Sequence, residues 1–401
     1  MSVTIGYCTN VHAGVDLPAI RDNLQRHATD VHRLMTGDEP LGVGLWLPEK
    51  AARELAGSGP SGSHSLSDFR QFLDQRHLQA FTINGFPYDN FHDPIVKHRV
   101  YEPAWWDPRR LNYTKQLATI LLGLMPPTQR IGSISTLPIG WLDDLVTTEQ
   151  MNRAGENLRE LAAFLARIES RSGRQIVVAI EPEPGCILDT AEDVLGWFER
   201  ELPDAAHRRH LTVCHDVCHS AVMMESQAEV LRKYAAAGIT IGKVQVSSAV
   251  VADWDSMAIG RRQETAEQLA GFAEDRYLHQ TGRLLEDGSF RLAEDLPNLL
   301  DQIPRSGDPA GGDRRWVVHF HVPIFLERFG RLSTSQAEIR HCLLALQRPT
   351  SELEPRIEFT GHYEVETYAW TVLPEAMRKR ELADDIAAEL RWLQKELIDC
   401  S

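Results

Sequence analysis

Short β-rich runs alternate with amphipathic helical stretches, and this alternation constrains the fold more than any other feature of the chain. Strands separated by helices indicate parallel βαβ units. The strands are nearly continuously apolar, which is typical of a sheet buried on both faces and favours an α/β fold, the (β/α)₈ TIM barrel. An open doubly wound sheet is the alternative, although no G-x-G-x-x-G follows the first strand. The predicted barrel strands are 3–9, 41–47, 78–84, 130–136, 175–181, 211–216, 239–246 and 356–366.

The chain of 401 residues is longer than a minimal barrel, and we interpret 1–401 as a single TIM-barrel domain with two insertions over the C-terminal mouth. The first insertion, about 85–112, is rich in aromatic residues and proline and precedes a predicted helix at 113–125. Loops of this length are usually functional, so we expect a lid-like loop. Its aromatic residues either cover the site or attach the loop to the barrel rim by hydrophobic contact.

The second insertion, about 250–325, is predicted to hold a helix at 260–275, a hairpin around an Asp-Gly pair and an extra strand. The extra strand, in RWVVHFHVPIF (315–325), is either a ninth strand over the mouth or the eighth barrel strand. We favour the ninth, because the run 356–366 ends in carboxylates that a barrel site would use. After Pro374 a helix is predicted, with its charged face in solvent.

Composition excludes several classes of function. Lys plus Arg is 42 and Asp plus Glu is 57, so the formal net charge is −15, which disfavours nucleic acid as a partner. No run approaches the ~18 apolar residues of a membrane span, so no membrane insertion is expected. The six cysteines include no C-x-x-C pair, and the N-terminus has no secretory pattern. We therefore predict a reduced, cytoplasmic protein.

Polar side chains close several of the apolar strands, at the barrel end where TIM-barrel sites lie. Buried carboxylates are costly unless they are paired or bind a cation. Carboxylates, imidazole and an amide oxygen suit Mn, Mg, Fe or Zn, so we predict a divalent metal ion as cofactor. The residues at these positions are Asn84, Ser135, Thr136, Glu181, Glu183, His215, Asp216, His219, Lys243, Gln245, His319, His321, His362, Glu364 and Glu366.

Each of these residues also has a structural explanation. Asp216 is a candidate N-cap of the next helix, and Glu181 and Glu183 lie beside prolines, where one of the two would cap a turn. His215 alternates with Asp216 along the strand and is expected to face outward. Glu364 and Glu366 share one face of the last strand and compete for one role.

Four short motifs resemble the xylose isomerase-like superfamily, which includes sugar isomerases, epimerases and the endonuclease IV branch. VCHDVCHSA (213–221) resembles the V-C-x-D-x-C-H-A pattern of that branch. IEPEPG resembles its L-E-N-x-x-G and aligns Glu181 with a metal-binding glutamate. His319-Phe320-His321 resembles its D-x-H pair, and Glu366-Thr367 resembles its closing E-T.

Departures from the endonuclease pattern favour the isomerase side of the superfamily. The endonuclease branch carries histidines at the ends of strands three, four and seven for a trinuclear zinc site. Here those places hold Asn84, Ser135 or Thr136, and Gln245. The resemblance therefore implies the single-metal set of the isomerases and epimerases, with the metal ligands Glu181, Asp216, Gln245 and Glu366.

A second resemblance covers nearly the whole chain. The runs at 84–105, 276–281, 319–325 and 364–374 are similar to the EboE metabolite traffic proteins. This family is similar to sugar isomerases. The resemblance implies a role in making or exporting a small metabolite, without defining a reaction.

We therefore predict a metal-dependent isomerase or epimerase that acts on a sugar, cyclitol or related polyol by proton transfer. A homo-oligomer is compatible with this prediction. The predicted catalytic residues are Glu181, Glu366, His219 and Lys243. The predicted substrate-binding residues are Asn84, Tyr88, His319 and His321.

Two alternatives stay open. A metal-dependent phosphoester hydrolase would hold two or three metals, and an anion would bind a basic run near the mouth. A non-catalytic metabolite-binding barrel would explain the replacement of a histidine ligand by Gln245. The basic residues of the first alternative are Lys97, His98, Arg99, Arg109 and Arg110.

Overall fold

Eight parallel strands close into a barrel, with the last strand of the chain between the first and the seventh. The computed structural model describes residues 3–35, 37, 39–57, 64–143, 145–303, 308–348, 355–374 and 380–400. All eight predicted barrel strands are confirmed. They are β1 (Thr4–Cys8), β2 (Leu41–Trp46), β3 (Leu78–Asn84), β4 (Ile131–Thr136), β5 (Gln175–Ile180), β6 (Leu211–Asp216), β7 (Ile241–Val246) and β14 (His362–Val365).

The barrel strands are buried along almost their whole length. Every residue of β2, β6, β7 and β14 is buried, as expected of parallel strands covered by helices on the outside and packed side chains within. The strand pairs are parallel throughout, so all eight C-terminal ends open at one mouth. Residues that close different strands are therefore brought together.

Fourteen α-helices are present in the described residues. The helical segment 17–35 is continuous but passes through a π-helical turn at Leu24–Ala28 between its two α-helical parts. The helices are α1 (Leu17–Asn23), α2 (Thr29–Met35), α3 (Glu49–Leu55), α4 (His64–Asp74), α5 (Pro108–Leu124), α6 (Thr148–Ser172), α7 (Ala191–Glu201), α8 (Ala205–Arg208), α9 (Val217–Val222), α10 (Gln227–Ala236), α11 (Ile259–Ala270), α12 (Leu296–Asp301), α13 (Gln336–Gln347) and α14 (Leu382–Asp399).

A second sheet of six strands follows β7, in the order β10-β9-β11-β8-β13-β12. The run 315–325 enters this sheet as β11 and is not a barrel strand. The predicted hairpin is formed by β9 and β10, and the sheet continues past residue 325 through β12 and β13. Its strands are β8 (Val250–Asp253), β9 (Thr281–Leu284), β10 (Phe290–Ala293), β11 (Arg315–Val318), β12 (Arg328–Phe329) and β13 (Leu332–Thr334). The assignment of the whole chain to one domain stays a prediction.

The predicted solvent exposure of the last helix is wrong in part. Two carboxylates of α14, Glu389 and Glu396, are buried, because they bond to neighbouring elements instead of water. Residues 375–379, which the sequence also assigned to this helix, lie outside the described residues. No helix in the described part of the chain has the length and apolarity to cross a membrane.

The first insertion packs firmly on the barrel. The aromatic rings of Phe91, Tyr277 and Tyr368 contact one another, with centroids 4.9–5.2 Å apart, and link the loop to the second insertion and to the segment after β14. A short 3₁₀ helix occupies Lys97–Tyr101. Helix α5 begins at Pro108, earlier than predicted, because Asp107 accepts a hydrogen bond from the Arg109 amide and caps it.

Candidate metal centre

Three carboxylates meet at the C-terminal mouth of the barrel. Glu181 directly follows β5, Asp216 ends β6, and Glu366 directly follows β14. One oxygen of each lies within 4.8 Å of the others, and the residues are only 3%, 2% and 5% exposed. Three segments distant in sequence thus converge on one buried point, where a cation would be held by oxygen ligands alone.

Asp216 uses only one of its two oxygens in hydrogen bonds. Its Oδ1 accepts from the backbone N–H of His219 and from the hydroxyl of Ser247, both at 2.8 Å. Asp216 is thus the N-cap of α9, the structural alternative that the sequence allowed. Its Oδ2, like Oε2 of Glu181, is buried without a hydrogen-bond partner among the described residues. Both oxygens are free to bind a cation.

Three amides orient the carboxylate of Glu366. The side-chain N–H groups of Asn10 and Asn84 donate to its Oε1 at 2.7 and 2.8 Å, and that of Gln245 donates to its Oε2 at 3.0 Å. The side-chain oxygen of Gln245 is consequently left buried without a partner in the described chain. Gln245 therefore offers an amide oxygen beside the carboxylates.

The electrostatics of the cluster favour either protonated carboxyl groups or a bound cation. Burial, followed by the charges of Glu366 and Asp216, raises the pKa of Glu181 well above its ordinary value. Burial, then Asp216 and Glu364, raises the pKa of Glu366 to about 8, although Lys243 opposes this. Buried, unpartnered oxygens and mutual repulsion are both relieved by a divalent cation. The residues present therefore fit such an ion.

Glu364 and Lys243 form an ion pair away from the cavity lining. The Lys243 Nζ donates to Glu364 Oε2 at 2.5 Å, and both side chains are fully buried. The carboxylate occupies space that only a glycine leaves open, since a Cβ on Gly44 would lie 1.3 Å from Glu364 Oε1. Burial alone would lower the pKa of Lys243, but Glu364 keeps it above its ordinary value. Of the two competing glutamates, Glu366 alone belongs to the carboxylate cluster.

Three histidines lie beside the carboxylates. The ring centroids of His219 and His319 are 4.6 Å apart, and those of His319 and His321 are 5.3 Å apart. Each Nδ1 bonds to an oxygen at 2.8–2.9 Å and therefore carries the hydrogen; the acceptors are Pro182 O, Gln280 Oε1 and Glu366 O.

These bonds leave the Nε2 atoms of His319 and His321 buried and unpartnered among the described residues. Burial lowers the pKa of His321 to about 4 and that of His319 well below its ordinary value. Both rings are therefore neutral near pH 7, and each presents a bare nitrogen that accepts a hydrogen bond or binds a metal.

A cavity of about 60 Å³ opens above the carboxylates and histidines. The sequence placed Tyr88 in this site, but its ring packs 5.0 Å from that of Tyr113 and lines a separate surface depression. His215 bonds to Gln227 at 2.6 Å, outside the cavity lining, in line with its predicted outward orientation. The apolar wall of the cavity is formed by Phe86, Phe91, Val96, Val100, Tyr277 and Tyr368.

Solved structures share this architecture. A xylose isomerase-like TIM barrel protein from Mycobacterium smegmatis, in complex with magnesium, matches with a TM-score of 0.53 and 11% sequence identity, covering 100% of this chain and 98% of that chain. The chain has the fold of the xylose isomerase-like TIM barrels.

Two further matches to this fold have lower TM-scores. A xylose isomerase domain protein from Alicyclobacillus acidocaldarius matches at a TM-score of 0.48 and 12% identity over 99% of both chains. The IolI protein with a zinc atom matches at 0.44 and 13% identity, over 99% of this chain and 97% of that chain. No protein-family model and no curated protein matches the sequence, so the EboE resemblance stays a prediction.

The basic residues near the mouth of this xylose isomerase-like barrel already have partners. The closest ion-pair atoms lie 2.6–3.6 Å apart in Lys97–Asp295, His98–Glu294, Arg99–Asp93 and Arg109–Asp107. The fifth, Arg110, is fully buried and donates to the backbone oxygens of Pro103, Gly85 and Phe86. It anchors the first insertion and is not exposed to an anion at the mouth.

Sequence reasoning missed or undervalued four residues of the site. Asn10 lies two residues after β1 and directly after the predicted strand 3–9, so the rule that selected the other strand ends would also have found it. Glu183 lines the cavity, and its Oε1 accepts hydrogen bonds from Tyr101 at 2.7 Å and from Gln280 at 3.3 Å. Tyr101 and Gln280 lie in the two insertions, where no strand or helix pattern in the sequence indicates that they would bond to Glu183.

Proposed function

We propose that this protein is a metal-dependent isomerase or epimerase that acts on a sugar, cyclitol or related polyol. The observation that carries the proposal is the buried trio Glu181, Asp216 and Glu366 at the base of a cavity, with unpartnered oxygens on Glu181 and Asp216. Proton transfer at carbon needs a buried base and a means of stabilising negative charge on an adjacent oxygen. The trio would supply the base, and the cation that it would hold would supply the charge stabilisation.

The metal would be held by Glu181, Asp216, Glu366 and the side-chain oxygen of Gln245. Magnesium, present in the Mycobacterium smegmatis neighbour, is one candidate, and Mn, Fe and Zn also suit this ligand set. When bound, a divalent ion stabilises negative charge that develops on substrate oxygens.

The side chains of this chain would move the proton and hold the substrate. Glu181 and Glu366, on separate strands of the barrel, would remove and return it. Asn84, His219, His319 and His321, which line the cavity, would bind substrate hydroxyl groups. Lys243, hydrogen-bonded to Glu364 and not in contact with the cavity, would act through the charge balance of the cluster.

The metal content of the purified protein tests the first half of the proposal. We expect about one Mn, Fe, Mg or Zn ion per chain by elemental analysis, lost in Glu181→Gln and in Asp216→Asn. The exposed carboxylates Glu286 and Asp301 give matched controls, and Glu286→Gln and Asp301→Asn should keep the metal. Protein without metal under any supplementation would contradict the proposal.

Isotope exchange tests the reaction itself. The metal-loaded protein, incubated with candidate polyols and ketoses in deuterated water, should introduce deuterium at a carbon beside a carbonyl group. Glu181→Gln should abolish the exchange. Turnover of a polyol without any exchange would rule out this proton-transfer route. Tight metabolite binding without turnover would favour a non-catalytic barrel instead.

A second candidate function is metal-assisted hydrolysis of a phosphoester. The observation in its favour is that Asp216, His219 and His321 also have ligand atoms within 4.8 Å of one another, and so do Glu183, His219 and His319. More than one metal ion per chain would favour this candidate.

In either case, the EboE resemblance would place the reaction in the making or export of a metabolite. The proposed compartment is the cytoplasm, consistent with six unpaired cysteines.

A further inference from the structure

The cavity above the carboxylates has two chemically different sides. Its base is formed by the carboxylates, amides and histidines described above. The wall of the cavity is apolar. Tyr277 presents only its ring to the cavity, because the hydroxyl group of Tyr277 is occupied in a hydrogen bond to the backbone oxygen of Phe91 at 3.1 Å. Val100 completes this wall and remains partly exposed at the opening. A ligand that reaches the base must therefore lie along an apolar surface.

The cavity also lacks an available cation for an anionic ligand. Among the described residues that line it, Lys97 is the single Lys or Arg. Its Nζ lies 2.6 Å from Asp295, whose side chain is 5% exposed, so its charge is already neutralised. The other basic residues near the mouth are paired or buried as described. Proteins bind phosphate through unpaired Arg and Lys or helix N-termini, and none of the lining side chains supplies such a cation.

A divalent cation at the base would not reverse this balance. Three ionised carboxylates and one divalent ion leave a formal charge of −1, and Glu183 adds a further carboxyl group. The pair Lys243–Glu364 is neutral overall. The formal charge at the base would thus give a phosphate group, with about −1.5 to −2 charge, no net attraction. Hydroxyl groups, in contrast, both donate to carboxylates and accept from amides.

We infer that the substrate is an uncharged polyhydroxy aldehyde or ketone that carries an apolar substituent, and not a sugar phosphate. This inference rests on the proposed function and specifies its substrate class. The hydroxyl groups would face the carboxylates and histidines, and the apolar substituent would lie against Phe91, Val100 and Tyr277. Burial of apolar surface gives the substituent its affinity.

Three probes that differ in one substituent test this inference. They are myo-inositol, myo-inositol 1-phosphate and 1-O-hexyl-myo-inositol, titrated by calorimetry into the full chain saturated with Mn²⁺. We expect the hexyl ether to bind at least tenfold more tightly than myo-inositol, and the phosphate at least tenfold more weakly. A phosphate that binds as tightly as myo-inositol, or a hexyl group without any gain, would overturn the inference. Absence of binding by all three probes would overturn it as well.

Substitutions at the wall locate the effect. Val100→Ser should remove most of the advantage of the hexyl ether over myo-inositol. The control Val372→Ser changes a partly buried valine outside the cavity lining and should keep the advantage. Loss of the advantage in both variants, or in neither, would contradict the assignment of the wall. Metal content and deuterium exchange do not depend on this ranking, so the proposed function stands or fails separately.

Discussion

Glu364 and Glu366 lie two residues apart, point into the same barrel interior and meet different neighbours. Glu364 is neutralised by Lys243, whereas Glu366 is held by three amides beside two further carboxylates. Identical side chains, one on β14 and one directly after it, thus differ in their need for a cation. The alternation of the strand predicts their common orientation, but only the neighbouring strands decide which of them belongs to the carboxylate cluster.

The raised pKa of Glu366 predicts how the stability of the metal-free protein depends on pH. The folded-state value is about 8, above the unfolded value of about 4.3. The folded protein therefore binds the proton more tightly, and its stability falls as pH rises through this window. We expect the Tm of chelator-treated protein to fall between about pH 5 and 8, less steeply in Glu366→Gln. An identical slope in wild type and Glu366→Gln would contradict this.

Gly44 provides the space that the Lys243–Glu364 pair occupies. In Gly44→Ala the new Cβ would displace the fully buried Glu364 carboxylate from its partner. Breaking a buried pair costs about 3–5 kcal/mol, so we expect a loss of that order in urea unfolding. Gly196 in α7 is the control, since a Cβ there meets nothing within 4 Å and Gly196→Ala should stabilise by about 0.5–1 kcal/mol. An unchanged midpoint in Gly44→Ala would contradict the argument.

At the level of elements, the barrel strands could be predicted from the sequence, but the short strands of the second sheet and the long-range ion pairs could not. The eight strands follow from their apolar runs, because burial on both faces leaves a local signature. The strands β12 and β13 are two and three residues long and leave no such signature. Lys97 pairs with Asp295, 198 positions further along the chain. The sequence alone therefore suggested that Lys97 was free to bind an anion. Long-range partners of this kind have no periodicity from which to infer them.

Helix α14 fixes two segments of the site through one buried carboxylate. Glu389 accepts hydrogen bonds from the hydroxyl group of Thr367 at 2.6 Å and from the backbone N–H of Ile324 at 3.1 Å. Thr367 is next to Glu366, and Ile324 lies three residues after His321. The helix therefore determines the relative position of the two site-bearing segments.

Removal of this carboxylate should weaken both stability and metal binding. Glu389→Ala removes the acceptor of three buried donors, since the indole N–H of Trp370 also donates to Glu389 Oε2, at 3.4 Å, and each such loss costs about 1–3 kcal/mol. We expect a loss of about 3 kcal/mol in urea unfolding and a lower affinity for Mn²⁺ by calorimetry. Asp399→Asn, at an exposed position near the end of the same helix, is the control and should change neither quantity. Full metal affinity in Glu389→Ala would show that α14 does not position the site.

In the whole molecule, the candidate metal centre lies where the barrel meets the second sheet. The segment after β11 joins the two, since the N–H of His319 donates to Gln280 O and that of Val322 donates to Ser248 O, at 2.8 and 3.0 Å. His321 then bonds to the backbone of Glu366. The same few residues therefore complete the cavity and connect its two structural parts.

This arrangement predicts that metal binding stabilises both parts together. A ligand that binds only the folded state stabilises the elements that contact it, and local opening there becomes rarer. In hydrogen–deuterium exchange, Mn²⁺ should increase amide protection in 315–324 and 362–368, on either side of the junction. Helix α6 (Thr148–Ser172) contributes no residue to the cluster and should exchange equally with and without metal. Protection gained in 362–368 but not in 315–324 would mean that the ion binds the barrel alone and that the histidine segment is energetically separate.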